Sequence, residues 1–231
     1  MRWWARTIVQ RPGALRASRP QLKRDPLGAA SVDRDHPTRV NDRSRGRDAK
    51  AHHVDMVTID GFFEGPKAGD IAWHDYVWGE ELERFSTETL KSAGMLLFGR
   101  VTYQVMVSYW PTATGEVADF MNSIPKVVFS TTLHQAQWSN TRLVKANAQA
   151  EVAALKQQSG KDLFIFGSAA LSSSLMPHGL IDEYRLGLTP VVLGAGNPLF
   201  KAAPKSSRMK LLEARPLKSG CVILRYEPFN G

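Results

Sequence analysis

Short apolar segments alternate with amphipathic segments along most of this 231-residue chain, from about residue 54 to its end. Gly, Pro, Asn or Asp, which favour turns, separates each segment from the next. The apolar segments 95–98 and 162–166 are uninterrupted, which is typical of strands that are covered on both faces. This alternation predicts an α/β domain in which helices pack on both faces of a central sheet.

The spacing of apolar residues places the individual helices and strands. The predicted helices cover residues 79–92, 101–109, 117–121, 148–158 and 169–176, and the predicted strands cover residues 54–59, 95–98, 126–130, 142–145 and 162–166. Segments 183–192, 210–216 and 221–226 alternate by twos around Gly-containing turns, a pattern of antiparallel strands. We therefore expect a three-layer fold with a twisted mixed sheet and an antiparallel hairpin at its C-terminal end.

Polar residues just before and at the start of the first predicted strand limit how far that strand can extend. His52, His53 and Asp55 would be costly to bury in the middle of a sheet. We therefore place the start of the folded domain at residue 54 and its end at residue 231. Residues 1–53 are then a separate N-terminal extension.

This extension is basic and shows no persistent helical or strand period, so we expect it to be disordered. Residues 1–50 carry 13 basic and five acidic side chains, whereas the remaining 181 residues carry 17 of each. Two interpretations stay open: an extension without function, such as upstream sequence read through from a misplaced start, and a tail that binds polyanions. Its five Asp residues argue against an organelle-targeting peptide.

Composition excludes several functional classes. The folded part has no net charge, which argues against binding of nucleic acid by its surface. No apolar run reaches the roughly 18–20 residues that a membrane span needs. Cys221 is the single cysteine, so no internal disulfide can form, and the six histidines form no metal-ligand motif. We expect a soluble cytoplasmic protein that holds no metal.

Two strand-to-helix junctions are the first candidates for a binding site. Gly99 ends one apolar segment and is followed by Arg100 and Thr102, and Gly167 and Ser168 end another. At such junctions the free N–H groups and the dipole of the following helix attract anions such as phosphates. Either junction alone is also compatible with an ordinary turn.

Six short motifs together carry a resemblance to a known family. They are Gly99-Arg100-x-Thr102-Tyr103, Val127-Val128-Phe129-Ser130-Thr131, Phe166-Gly167-Ser168, Val57-Thr58-Ile59-Asp60-Gly61, His178-Gly179-Leu180-Ile181-Asp182-Glu183-Tyr184 and Pro190-Val191-Val192-Leu193-Gly194. The set resembles the dihydrofolate reductase-like superfamily. It is most similar to the C-terminal reductase domain of the bifunctional riboflavin-biosynthesis deaminase-reductase and its single-domain relatives. The resemblance covers about residues 54–228.

This resemblance implies an NADPH-dependent reductase with its cofactor along the two junctions. Arg100 and Thr102 would contact cofactor phosphates, and Ser130 and Thr131 would line the pocket of the adenosine 2′-phosphate. The complete implied set is Gly99, Arg100, Thr102, Ser130, Thr131, Gly167, Ser168 and Ala169.

Reduction of a ring also requires a proton source beside a dry pocket. In the dihydrofolate reductases a carboxylate lies four residues ahead of an aromatic residue that packs on the substrate, and Glu81 and Phe85 reproduce this spacing with Glu in place of the usual Asp. Glu81 is therefore the candidate proton donor, with Glu80 and Glu83 as competitors. The alternative is an ordinary solvated helix face.

Three further residues complete the candidate site. Asp60 lies in a strand-end turn, where it either caps the turn or faces the substrate. Trp73, in an aromatic-rich loop, and Tyr103, in the first junction, are candidates for the substrate pocket.

Two functional hypotheses follow. The first is an NADPH-dependent reductase of a small heterocycle, such as 5-amino-6-(5-phosphoribosylamino)uracil or a dihydropterin. The alternative is a non-catalytic nucleotide-binding or interaction protein that retains the fold. The resemblance also implies a homodimer, and the apolar segment 188–192 would need covering.

Overall fold

Six parallel strands and a C-terminal antiparallel pair form one eight-stranded sheet in the computed structural model, which describes residues 48–200 and 206–229. The strands of the chain are β1 (Ala51–Thr58), β2 (Phe62–Glu64), β3 (Ala93–Gly99), β4 (Lys126–Phe129), β5 (Thr141–Val144), β6 (Asp162–Phe166), β7 (Glu183–Thr189), β8 (Asn197–Pro198), β9 (Met209–Pro216) and β10 (Val222–Pro228). The order in the large sheet is β5-β4-β3-β6-β1-β7-β10-β9, and β2 pairs with β8 in a separate ribbon.

Helices cover both faces of this sheet. They are α1 (Glu80–Ser92), α2 (Arg100–Val107), α3 (Glu116–Ser123), α4 (Ala148–Lys156) and α5 (Ala169–Leu175), with short 3-10 helices at Ala72–Tyr76, Trp110–Thr112 and Met176–His178. Leu163 and Ile165 of β6 pack in the same cluster as α4 and α5, whereas Phe164 and Phe166 pack in the cluster of α2 and α3. This alternation confirms the predicted three-layer α/β fold with its antiparallel C-terminal hairpin.

The first strand begins at Ala51, three residues earlier than predicted, and it lies between β6 and β7 near the middle of the sheet. The prediction is wrong because both histidines find polar partners. His52 Nε2 lies 3.0 Å from Asp162 Oδ2, and His53 Nε2 lies 3.0 Å from the carbonyl oxygen of Gly167. Residues 51–53 thus belong to the sheet, while residues 1–47 of the predicted extension lie outside the described ranges.

The outer strand β9 pairs with β10 alone within the described ranges, and its residues Leu211 and Leu212 are exposed. Leu188, by contrast, belongs to β7, which lies between β1 and β10 and is not an uncovered edge. A long exposed edge strand with apolar side chains favours pairing with another chain. The homodimer stays a prediction: light scattering at micromolar concentration should give twice the mass of the chain, and a monomer would contradict it.

Candidate active site

The two junctions predicted from the sequence meet at one edge of the sheet, because β3 and β6 are parallel neighbours. Ser168 Oγ accepts a hydrogen bond from the backbone N–H of Gly99 at 3.0 Å. Thr102 Oγ1 in turn accepts one from the backbone N–H of Ser168 at 3.1 Å. Both hydroxyls therefore tie one junction to the other.

Two residues in the left-handed backbone conformation form the turn between β6 and α5. Gly167 has φ +55° and Ser168 has φ +60°. Gly adopts this conformation at no steric cost, whereas Ser adopts it less readily. A Cβ at Gly167 would lie 3.4 Å from the Thr102 side chain, so the backbone approaches α2 closely here.

We expect replacement of Ser168 by Ala to destabilise the domain by about 1–3 kcal/mol, because the N–H of Gly99 loses its acceptor. Urea unfolding measures this change. Ser172→Ala is the matched control on the same helix, since the Ser172 hydroxyl is buried and has no hydrogen-bond partner among the described residues. Equal free energies of unfolding for the two variants would contradict this role for Ser168.

A cleft of about 750 Å³ opens above the joined junctions. Seven of the eight residues that the resemblance assigns to the cofactor line it, and the eighth, Gly167, lines a neighbouring pocket. Further lining residues that the sequence did not assign to the cofactor include Phe129, Lys145, Asn147 and Asn197. Lys145 directly follows β5, which lies two strands beyond β3 at the same edge of the sheet, and its position at a predicted strand end could have indicated it.

Two cations and a hydroxyl-rich turn give this cleft its polar character. Arg100 and Lys145 are exposed, and Arg100 Nη1 donates a hydrogen bond to Gln104 Oε1 at 2.9 Å. Ser130 Oγ accepts from the backbone N–H groups of Thr132 and Leu133 at 3.2 and 3.0 Å. Ser130 therefore shapes the turn that carries Thr131 into the cleft.

A smaller, mostly apolar pocket of about 110 Å³, here called the ring pocket, adjoins the cleft. Val101 and Thr102 line both cavities, so the two spaces meet at the start of α2. The ring pocket is lined by residues of β1, β2, the loop that follows and helices α1 and α2, among them Asp55, Met56, Ile71, His74, Leu82 and Phe85. Phe85 is thus where the sequence predicts it.

Neither predicted catalytic carboxylate lines the ring pocket in the described part of the chain. Glu81 Oε2 accepts a hydrogen bond from the backbone N–H of Lys218 at 2.7 Å. Asp60 accepts one from the Thr58 hydroxyl at 2.6 Å and another from the N–H of Gly194 at 2.7 Å, and the Thr58 bond holds the pKa of Asp60 below its usual value. Both carboxylates therefore hold loops in this structure, which for Asp60 is one of the two expected roles, and the catalytic roles stay predictions.

Two of the three predicted pocket aromatics are core residues instead. Trp73 is buried in the cluster that packs on α1, and it does not reach the ring pocket. Tyr103 is buried too, and its hydroxyl accepts hydrogen bonds from the N–H groups of Gln137 and Trp138 at 2.9 and 3.0 Å. The aromatic-rich loop and the first junction suggested these two residues, but their positions in the sequence could not show which way each ring faces.

Asp55, Glu64 and His74 are ionisable residues of the ring pocket that the sequence did not assign to it. Burial raises the pKa of Asp55 and lowers the pKa of His74 to about 3, so His74 is neutral at physiological pH. Asp55 Oδ2 and His74 Nε2 are buried without a hydrogen-bond partner among the described residues. Asp55 could have been identified as a candidate from the sequence, because it is an acidic residue within a mostly apolar predicted strand.

The strand order, the C-terminal hairpin and the cleft across the joined junctions define a dihydrofolate reductase-like fold. A protein of Shewanella sp. PV-4, provisionally assigned to riboflavin biosynthesis, has the same fold with a TM-score of 0.64 and 19% identity over 78% of this chain and 99% of its own. Dihydrofolate reductase from Enterococcus faecalis, complexed with NADP(H) and RAB-propyl, matches with a TM-score of 0.56 and 13% identity over 80% of this chain and 99% of its own.

Residues 55–223 match the family model of the RibD C-terminal domain, and the chain belongs to this family. The uncharacterised protein YyaP of Bacillus subtilis (strain 168) is 32% identical over 180 residues, which are 76% of this chain and 92% of YyaP. In residues 48–200 and 206–229, no helix has the length and apolar character needed to cross a bilayer.

Proposed function

We propose that this protein is an NADPH-dependent reductase of a small heterocycle, of the type found in riboflavin biosynthesis. The observation that carries the proposal is the meeting of the cofactor-sized cleft and the ring pocket at Val101 and Thr102. A reductase of this kind must hold a long, charged cofactor and a small ring side by side. In this protein the first turn of α2 forms part of the wall of both the cleft and the ring pocket.

The cleft fits NADPH in size and in charge. Its volume of about 750 Å³ is typical of sites for cofactors and other small molecules, which occupy roughly 300–1,000 Å³. Arg100 and Lys145 offer cations to phosphates, and Thr131 offers a hydroxyl. When bound, NADPH supplies the hydride. The NADP(H) complex of the similarly folded Enterococcus faecalis reductase supports this assignment.

The chain's own residues prepare the ring pocket for hydride transfer. Met56, Leu82 and Phe85 form apolar walls that exclude water from the reacting ring. Glu64 lies at the border of both cavities, and its carboxylate accepts hydrogen bonds from the N–H of Gly69 at 2.8 Å and from Asn197 Nδ2 at 2.9 Å. Glu64 thereby holds the loop after β2 against β8.

Two measurements test this function. Isothermal titration of the full chain should detect NADPH binding, and NADPH absorbance should then fall when dihydrofolate or a ribosylaminopyrimidine is added. Absence of NADPH binding would overturn the proposal. Binding without turnover of any ring substrate would favour the alternative, a nucleotide-binding protein that retains the fold.

A further inference from the structure

We propose that Asp55 supplies the proton in this reduction, and that the substrate is an unphosphorylated heterocycle with a C=N bond, whose nitrogen Asp55 meets in the ring pocket. This inference rests on the proposed reductase function and adds to it a catalytic residue and a substrate class. Three observations support it: an unpartnered carboxyl oxygen, its charged surroundings and the composition of the pocket wall.

The carboxyl group of Asp55 has one oxygen that accepts no hydrogen bond from the described residues. Oδ1 accepts a hydrogen bond from the N–H of Met56 at 2.9 Å, whereas Oδ2 is buried and has no hydrogen-bond partner among the described residues. His53 Nε2 lies 3.7 Å from Oδ2, but its closer contact is the Gly167 carbonyl oxygen at 3.0 Å. Because a buried polar atom without a partner is costly, a ligand that hydrogen-bonds to Oδ2 would remove this cost.

The surroundings of Asp55 favour its protonated form. Burial raises its pKa most, and the negative charge of Glu64 on β2 raises it further, while the nearby His53 ring, 3.7 Å from Oδ2, opposes them. His74, from the 3-10 helix on the same wall, stays neutral and adds no positive charge. A general acid needs this property, since it must carry its proton when the substrate arrives.

The wall of the ring pocket argues against a phosphorylated substrate. Within the described ranges its lining includes two carboxylates, Asp55 and Glu64, and neither Lys nor Arg. Arg215 lies near the pocket, with its guanidinium 5.6 Å from the Phe85 ring centre, but it does not line the pocket and it pairs with Glu213. A phosphate dianion would therefore meet negative charge without a neutralising partner.

The size of the pocket agrees with a single ring. Its volume of about 110 Å³ is close to that of an apolar cavity of about 150 Å³ known to hold benzene. A small planar ring can thus sit between Phe85 and β1, and a substituent that extends outward passes the carboxylate of Glu64 at the border of both cavities.

The proposed reduction balances as follows. The ring carbon receives a hydride from the reduced nicotinamide, and the ring nitrogen receives the proton of Asp55. The π bond between carbon and nitrogen breaks as a C–H and an N–H bond form. The heterocycle is reduced, NADPH is oxidised to NADP⁺, and the Asp55 carboxylate regains a proton from water.

Asp55→Asn in the full chain tests the inference, because Asn has nearly the same volume and cannot give up a proton in this way. Glu81→Gln tests the competing candidate for the proton donor, which lies outside the ring pocket, and Asp119→Asn, at an exposed Asp that lines neither cavity, is the matched control with wild-type behaviour. With NADPH bound, we expect wild type and Glu81→Gln to bind the probe 2,4-diaminopyrimidine, and Asp55→Asn to bind it at least tenfold more weakly. Uridine 5′-monophosphate should bind to none of them. Turnover of dihydrofolate should fall at least a hundredfold in kcat for Asp55→Asn alone.

A stability measurement provides a readout that does not depend on turnover. Because the pKa of Asp55 is raised above its ordinary value of 3.8, the folded protein holds this proton more tightly than the unfolded chain does. The resulting stabilisation is complete below the ordinary pKa and is lost as pH rises through the folded pKa. The free energy of unfolding of wild type, relative to Asp55→Asn, should therefore fall as pH increases.

The outcomes separate this inference from the reductase proposal. Failure of wild type to bind NADPH would overturn the function and with it the inference. NADPH binding with no binding of diaminopyrimidine, or with equal binding by wild type and Asp55→Asn, would overturn the inference alone. Parallel stability curves, tighter binding of the monophosphate, or a loss of turnover confined to Glu81→Gln would also overturn it.

Discussion

Replacement of Arg100 by Ala is expected to weaken NADPH binding roughly tenfold while leaving NADH binding almost unchanged. The guanidinium lines the cleft at the start of α2 and can form charge-assisted hydrogen bonds with a dianionic phosphate. This tenfold change is the lower end of the range for such bonds, because solvent screens the charge of an exposed side chain. If Arg100 reaches the 2′-phosphate, only NADPH loses this interaction. Isothermal titration with both cofactors measures the difference.

Arg84→Ala is the matched control for Arg100. Arg84 is also an exposed arginine on a helix with a partner four residues away, Glu80 at 2.9 Å, but it does not line the cleft. An equal loss for both cofactors would place Arg100 on the shared pyrophosphate and leave the NADPH preference to Ser130 and Thr131. Unchanged affinities for both cofactors would show that Arg100 does not contact the bound cofactor.

Replacement of Lys126 by Met is expected to lower the free energy of unfolding by about 3 kcal/mol. Lys126 is almost completely buried at the start of β4, and its Nζ donates hydrogen bonds to the carbonyl oxygens of Met121, Asn122 and Ile124 at 2.7–3.1 Å. These carbonyls lie at the end of α3, where no further turn of helix supplies donors. Burial lowers the pKa of Lys126 to about 8, so the amine still carries its proton at neutral pH.

Met keeps most of the apolar stem of lysine, so the change removes the ammonium group with its three hydrogen bonds and its contact with the Trp138 ring, whose centre lies 4.6 Å from Nζ. Urea unfolding gives the free energy, with Lys91→Met as the control. Lys91 is an exposed lysine whose ion pair with Glu116 should contribute little. A Lys126→Met variant as stable as Lys91→Met would show that water or neighbouring groups satisfy these carbonyls.

The elements that could be predicted from the sequence are those whose pattern is local. β6 has the predicted bounds, and α1 differs by one residue, because their apolar spacing and flanking glycines lie within the segments themselves. The joined junctions were also predictable, since glycine directly after two buried strands and before two helices is a local signal as well.

The features that could not be predicted depend on partners far away in the chain. The extra length of β1 requires Asp162 and the Gly167 carbonyl beside His52 and His53. In the same way, Glu81 has the expected helical spacing from Phe85, yet its carboxylate accepts a hydrogen bond from the backbone N–H of Lys218. Periodicity assigns a residue to an element, but a side chain's partner is decided by which loops fold over it.

The position of β1 in the sheet also has a consequence for synthesis. Ala51 pairs with Leu163 of β6, and Thr58 pairs with Thr189 of β7, so both neighbours of this strand leave the ribosome long after it does. Until then its backbone groups have no sheet partners, and an apolar strand in that condition would be prone to aggregate. The polar side chains of His52, His53 and Asp55 make this strand less apolar during that interval, and they acquire their complete surroundings in the sheet only when β7, the last parallel strand, pairs with β1.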